Sequence, residues 1–122
     1  MDPVQKMYET LKSTKELTEK LADKEQGIRA DLTSYSGRYP VLCYQVISDV
    51  PHMWADDTEI ARRITVQLSI LTVDGVDGEI VCLLKTIMEK LGWARISASR
   101  LLEGKIRITA LRYVLAESEE EE

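Results

Sequence analysis

YPVLCYQVISDVPHMWADDTEIARRITVQLSILTVDG, residues Tyr39 to Gly75, is the stretch whose reading decides the fold. Val41 to Val50 is rich in β-branched and aromatic residues, which suit a pleated, half-buried surface, so it reads as a strand. Pro40 offers no amide hydrogen and is tolerated at a strand's first residue. Both phases of this strand are apolar: Val41, Cys43 and Ile47 in one, Leu42, Tyr44 and Val46 in the other. Such a strand is central in its sheet, or has its second face covered by another subunit. From about Glu59 to Thr72 a second strand alternates cleanly. Ile60, Ile64, Val66, Leu68 and Ile70 point one way, and Arg63, Thr65, Gln67 and Ser69 the other. That strand is long for a small domain. Between the two, Pro51 to Asp57 reads as an acidic, aromatic loop, giving a long hairpin able to reach a neighbour.

Downstream, Asp74-Gly75 and Asp77-Gly78 break the strand, and a helix is predicted over Val76 to Leu91. Its apolar stripe is Val76, Ile80, Leu83, Leu84, Ile87, Met88 and Leu91. Gly92 is placed to end it in the left-handed conformation. Trp93–Leu102 and Lys105–Leu115 then form a second hairpin turning at Glu103-Gly104. In its last strand Ile106, Ile108 and Ala110 share one phase, whereas Leu111, Tyr113 and Leu115 take the other. A β-bulge near Ala110 or burial on both faces accounts for the slip. Upstream, Asp2 is placed to cap a first helix with Pro3 at its first position and Gln5 reaching back, burying Val4, Met7, Tyr8 and Leu11. Ser13 and Glu16 form a capping-box pattern for a short second helix that buries Leu17 and Leu21. The polar stretch Lys24–Arg38 reads mostly as loop, with a short strand at Ile28. The expected class is α+β: N-terminal helices and a mainly antiparallel sheet of two long hairpins, with one helix (about 76–91) packed on it.

A chain of 122 residues fits one domain, here 1–115, and 44% hydrophobic residues suffice for one core. The net charge of −5 is misleading about the body. Residues 116–122, AESEEEE, hold five of the 21 acidic side chains; the remaining sixteen balance sixteen Lys and Arg. A neutral body does not favour a dedicated DNA-binding domain, and the acidic tail is expected to be disordered and solvated. No apolar run is long enough to span a bilayer, and the charged N-terminus lacks the layout of a signal peptide. The expected compartment is therefore a cytoplasm, where Cys43 and Cys82 would be buried, reduced thiols.

Chemistry is sparse. His52 is the only histidine; with Asp56 and Asp57 it would need further ligands from distant sequence to hold a metal, and a solvated loop histidine is the simpler reading. Asp74 and Asp77 lack the spacing of a calcium loop, and helix capping is the simpler role. No phosphate loop or nucleophile elbow occurs, and Ser97 and Ser99 have no histidine partner that sequence can nominate. No catalytic residue, cofactor or metal is expected. Met53 and Trp54 are more telling, since an acidic loop has little reason to carry two large apolar side chains unless they pack on something. Either Trp54 folds back on the body, or it anchors an interface. The arginines of the strands are solvated, or pair with acids of a neighbour.

The same stretch resembles the tail-completion proteins of long-tailed phages and prophages, a family that includes tail terminators. The likeness lies in Tyr39-Pro40, in Ile47-Ser48-Asp49 before Pro51, in Ala55-Asp56-Asp57, and in a following strand ending near Asp74-Gly75. The order of elements is similar from Val4 to Leu115, with a helix ending in Leu91-Gly92-Trp93; the Glu-rich end departs from the pattern. The resemblance implies a structural virion protein, assembled in a bacterial cytoplasm. It would form a homo-oligomeric ring, a hexamer, that caps the tail tube and joins it to the head connector. Its partners would be itself, the tail tube protein and the head-tail connector protein. No membrane would be involved, and DNA would only pass through. Geometry alone places the partner contact at Pro51, His52, Met53, Trp54, Asp56 and Asp57. The alternative is a monomeric or dimeric adaptor or assembly chaperone of a phage or prophage.

Overall fold

A computed structural model describes the backbone of residues 2–30, 38–55 and 58–118, and the side chains of 2–30, 38–50 and 62–116. Helices α1 (Pro3–Ser13) and α2 (Lys15–Thr18) and a 3-10 turn (Lys24–Gly27) lead into strand β1 (Ile28–Ala30). Strands β2 (Val41–Ala55) and β3 (Thr58–Thr72), helix α3 (Gly78–Lys90), and strands β4 (Ala94–Glu103) and β5 (Ile106–Ser118) follow. The sheet has five strands in the order β1-β2-β3-β5-β4, antiparallel except for the β1–β2 pair. The chain is α+β, with two hairpins and one long helix packed on the sheet.

One face of the sheet meets the helices. Ile64, Val66, Leu68 and Ile70 of β3 and Leu111 and Tyr113 of β5 are buried there against Met7, Leu11, Leu84 and Met88. The clean alternation in β3 is thus the inner face of the main core. The opposite phase is not simply wet. Val41, Cys43, Leu71 and Ile108 form a second buried cluster on the other face, with Tyr39 and Ile106 against it. This explains the apolar phases of β2 and β5. The β3–β5 register runs unbroken from Thr72↔Arg107 to Ala61↔Ser118. Burial on both faces, not a bulge near Ala110, is therefore the cause of the phase slip.

Several local expectations are corrected. Helix α3 starts at Gly78, so Val76 lies outside it and is 73% exposed. Cys82 is exposed on the outer side of α3 and Cys43 is buried on the far face of the sheet, so the two cysteines do not share a core. Asp2 does cap α1, its Oδ2 accepting from Val4 N (3.1 Å) and Gln5 N (3.2 Å), but Gln5 donates to Glu9 rather than reaching back. The capping box fails as well: Thr14 is the N-cap of α2, and Ser13 Oγ donates to the Thr10 carbonyl. Gly92 has φ +95 just after α3, a conformation glycine adopts without strain. Strand β5 continues through Ala116, Glu117 and Ser118, paired with Arg63, Arg62 and Ala61, so regular structure reaches three residues into the acidic stretch. Glu119–Glu122 lie outside the described residues.

Candidate interaction surface

The largest departure from expectation falls on the sequence-predicted site. Pro51 to Ala55 are not loop; they continue β2, pairing with β3 through Pro51↔Arg62, Met53↔Ala61, Trp54↔Glu59 and Ala55↔Thr58. Only Asp56 and Asp57, outside the described residues, lie between the two strands. The side chains of Pro51, His52, Met53 and Trp54 are also outside the described residues. The pairing slips at Ile47, and again between Pro51 and Trp54. Extra residues of this kind twist an edge strand, and a proline is tolerated there because an edge needs no second ladder.

β2 changes character along its length. Strand β1 pairs only with Leu42, Cys43 and Tyr44. Beyond Tyr44, among the described residues, β2 has β3 on one side and no strand on the other. Val46, Ile47 and Val50 are 48%, 40% and 47% exposed, whereas Val41 and Leu42 are fully buried. The projecting half is braced by charge. Arg62 Nε and Nη2 donate to the two carboxylate oxygens of Asp49, at 2.9 and 2.8 Å. Arg62 Nη2 also lies 3.7 Å from Asp2 Oδ1, tying the hairpin to the cap of α1. The Arg62 hydrogen bonds hold the Asp49 carboxyl below the usual carboxylate range, against a smaller opposing effect of burial.

The other edge of the sheet is β4, which among the described residues pairs only with β5, and all ten of its residues are exposed. It has one irregularity, between Arg95 and Ser97, and from Ser97 to Glu103 its register is regular. Leu101 and Leu102 are 58% and 66% exposed. Sequence reading left Arg95 and Arg100 of this strand either solvated or paired with a neighbour's acids, but did not mark it as an edge, because nothing in ARISASRLLE shows which side lacks a neighbour. Its base is fixed by a buried node. Asp77 occupies the N-cap position of α3, yet its side chain caps no helix amide. It accepts instead a hydrogen bond from the Thr109 hydroxyl. Arg100 Nη1 donates to Thr109 Oγ1 (3.3 Å) and lies 3.6 Å from Asp77 Oδ1. Gly75, with φ +76, passes so close to Arg107 that a Cβ would sit 2.9 Å from its Cδ. A shallow cleft of about 320 Å³ lies beside this node, between the turn at Asp74 and Leu101–Leu102.

No family model matches the chain, and no curated protein matches its sequence. Among the described residues no three His, Cys, Asp or Glu side chains are grouped so as to hold a metal ion; His52, Asp56 and Asp57 are outside that set. None of the described helices is long and apolar enough to cross a membrane. Among the described residues the arrangement is a sheet with two unlike open edges: β4, regular from Ser97 to Glu103 and exposing Arg100, Leu101 and Leu102, and β2 beyond Tyr44, bulged and exposing Val46, Ile47 and Val50 beside Asp49.

Proposed function

We propose that this chain is a structural assembly protein of the tail-completion type, a homo-oligomeric ring that caps a phage tail tube and joins it to the head connector. The observation that carries the reading is the pair of unlike open edges. A closed ring of identical subunits is heterologous: each copy must offer two different, mutually complementary surfaces. A sheet with one open edge, or two alike, supports a two-fold dimer more naturally. Exposed backbone groups on an edge strand are a template for another strand and are usually blunted. Here β4 keeps a regular run that carries two exposed leucines. The resemblance of Tyr39–Gly75 to tail-completion proteins supplies the partners: tail tube protein on one side of the ring and head connector on the other. Such a protein acts through contact surfaces and needs no catalytic group.

The test is assembly state. Sedimentation of the chain alone and with tail tube protein should yield a closed oligomer of six copies, at least in the mixture. A monomer or two-fold dimer that binds one partner protein at equal stoichiometry would favour the adaptor alternative.

A further inference from the structure

The ring reading leaves open how one copy meets the next, and the two edges restrict the answer. We infer, resting on that reading, that residues Ser99–Leu101 of β4 in one copy pair antiparallel with Ser48–Val50 of β2 in the next copy, setting Arg100 opposite Asp49. Three observations on the sheet lead there.

The first is direction. In the order β1-β2-β3-β5-β4, each of the successive pairs from β2 to β4 is antiparallel, so β2 and β4 run in opposite senses. Copies related by rotation about an axis roughly along the strands keep those senses. The β4 of one copy therefore meets the β2 of the next antiparallel, the more stable pairing per residue.

The second is availability. Among the described residues, β2 has no second strand beyond Tyr44, and there the slip at Ile47 and the missing amide of Pro51 bound one short regular run, Ser48 to Val50. A long generic strand is excluded from such an edge; a three-residue match is not.

The third is the agreement of faces and charges. Arg100 is opposite Thr109, and Asp49 opposite Ile64, both on the helix-covered face. Leu101 is opposite Ile108, Ser99 opposite Ala110, Ser48 opposite Thr65 and Val50 opposite Arg63, all on the far face. With Arg100 against Asp49, the pairs Leu101–Ser48 and Ser99–Val50 follow, and exposed Leu101 lies diagonal to exposed Val50. A one-residue slip would put every pair on mismatched faces. Pairing β4 with its own copy about a two-fold centred on Arg100 would instead oppose two arginines, which is unfavourable.

The register also fixes a geometry. Arg100 stands level with Thr109, Ile70 and Leu42 in its own copy. Meeting Asp49 of the neighbour, about six ladder positions beyond Leu42 because Ile47 is bulged, displaces successive copies by roughly 20 Å along the strands over a four-strand repeat roughly 19 Å wide. The strands then tilt about 45° from the ring axis, the upper end of the range found in closed barrels. So short a ladder is weak, which suits a ring that closes only on its tube.

A cysteine pair tests the register. Ser99→Cys and Val50→Cys are combined in a Cys82→Ala chain, with buried Cys43 kept, and mixed with tail tube protein under mild oxidant. The expected result is a ladder of covalent oligomers on a non-reducing gel, abolished when either new cysteine is omitted. Arg100→Glu added to the pair should cut the yield severalfold, with circular dichroism confirming the fold; Arg100→Gln, which keeps the node with Asp77 less charged, should fall between. If Ser99→Cys alone forms dimers as readily, β4 pairs with itself and the inference is wrong. If a six-copy ring forms without cross-links, the ring reading stands and this pairing falls. If cross-links form but no closed oligomer does, the pairing stands and the ring reading falls.

Discussion

The two halves of β2 make the most instructive contrast in the molecule. Val41, Leu42 and Cys43 are buried, whereas Val46, Ile47 and Val50, of much the same chemistry, are 40–48% exposed. Residue type does not differ between the halves; coverage does. Strand β1 flanks the first half on one side, and both the helix face and the far face have apolar partners there. The second half keeps its apolar pattern after β1 has ended and is held by β3 and by the Asp49–Arg62 ion pair. A strand that stays apolar beyond its own domain's cover is a candidate interface, because isolated exposure is ordinary but a continuous stretch of it is not.

The largest effect that separates the halves is expected in the covered one. Leu84 is fully buried between α3 and the sheet, so Leu84→Ala should cost about 2–5 kcal/mol in denaturant melts, the range for a leucine replaced by a cavity. A neutral result would mean that the covered half is not where stability resides. Arg62→Gln strikes the projecting half. Asp49 and Arg62 are partly exposed, so the loss should be about 1 kcal/mol or less. Hydrogen exchange should show it locally, as faster exchange of the β2 amides beyond Tyr44 with little change near Leu42. Equal acceleration in both halves would erase the contrast.

The same pair has a pH signature. The folded-state pKa of Asp49 is depressed, so its contribution is present above the ordinary carboxylate pKa of about 3.9 and is lost as pH falls through the lower folded value. Acid should therefore loosen the projecting half, and Asp49→Asn should remove that part of the acid dependence. Tyr113 gives a smaller effect with an instructive sign. Its hydroxyl is buried with no hydrogen-bond partner among the described residues, and burial raises its pKa. Any stability from keeping that phenol neutral is present below the ordinary tyrosine pKa of about 10 and is lost as pH rises through the higher folded value. Tyr113→Phe should leave stability unchanged or raise it by up to about 1 kcal/mol, since an unsatisfied buried donor is removed. A clear loss on melting would mean that the hydroxyl has a partner, such as a water. The smallest effect is expected from deleting Glu119–Glu122, which lie past the last paired residue of β5. Melting and assembly should not change; tighter duplex DNA binding, strongest at low salt, would instead give the charges a repulsive role in the ring.

The sequence was most legible where a single physical demand set the pattern. Ile64, Val66, Leu68 and Ile70 alternate because one sheet face meets the helices, and the stripe of α3 recurs because one helix face meets the sheet. It was least legible where two demands compete. Pro51 and the acids around it are turn formers, yet Pro51 sits in β2 because an edge strand does not need its amide. Cys82 resembled a core residue beside Leu83 and Leu84, but it projects from the outer side of α3. Asp77 stands where a cap belongs and serves Thr109 and Arg100 instead, a long-range choice that no local motif encodes. The open edge at β4 was hidden for the same reason, because an edge is a property of strand order. Of the predicted contact, Pro51 to Asp57, the backbone of Pro51 to Ala55 lies at the far end of the hairpin, and Asp56 and Asp57 are outside the described residues. The part of the candidate surface that sequence reading missed, Leu101 and Leu102 on β4, lies at the opposite end of the sheet.

The central claim is that unlike edges close into a ring, and the most direct measurement is the native mass of the full chain with tail tube protein present. The account predicts a closed assembly of six copies that disappears when Arg100→Glu disrupts the β4 edge. A population of monomers or two-fold dimers, unchanged by Arg100→Glu, would contradict it.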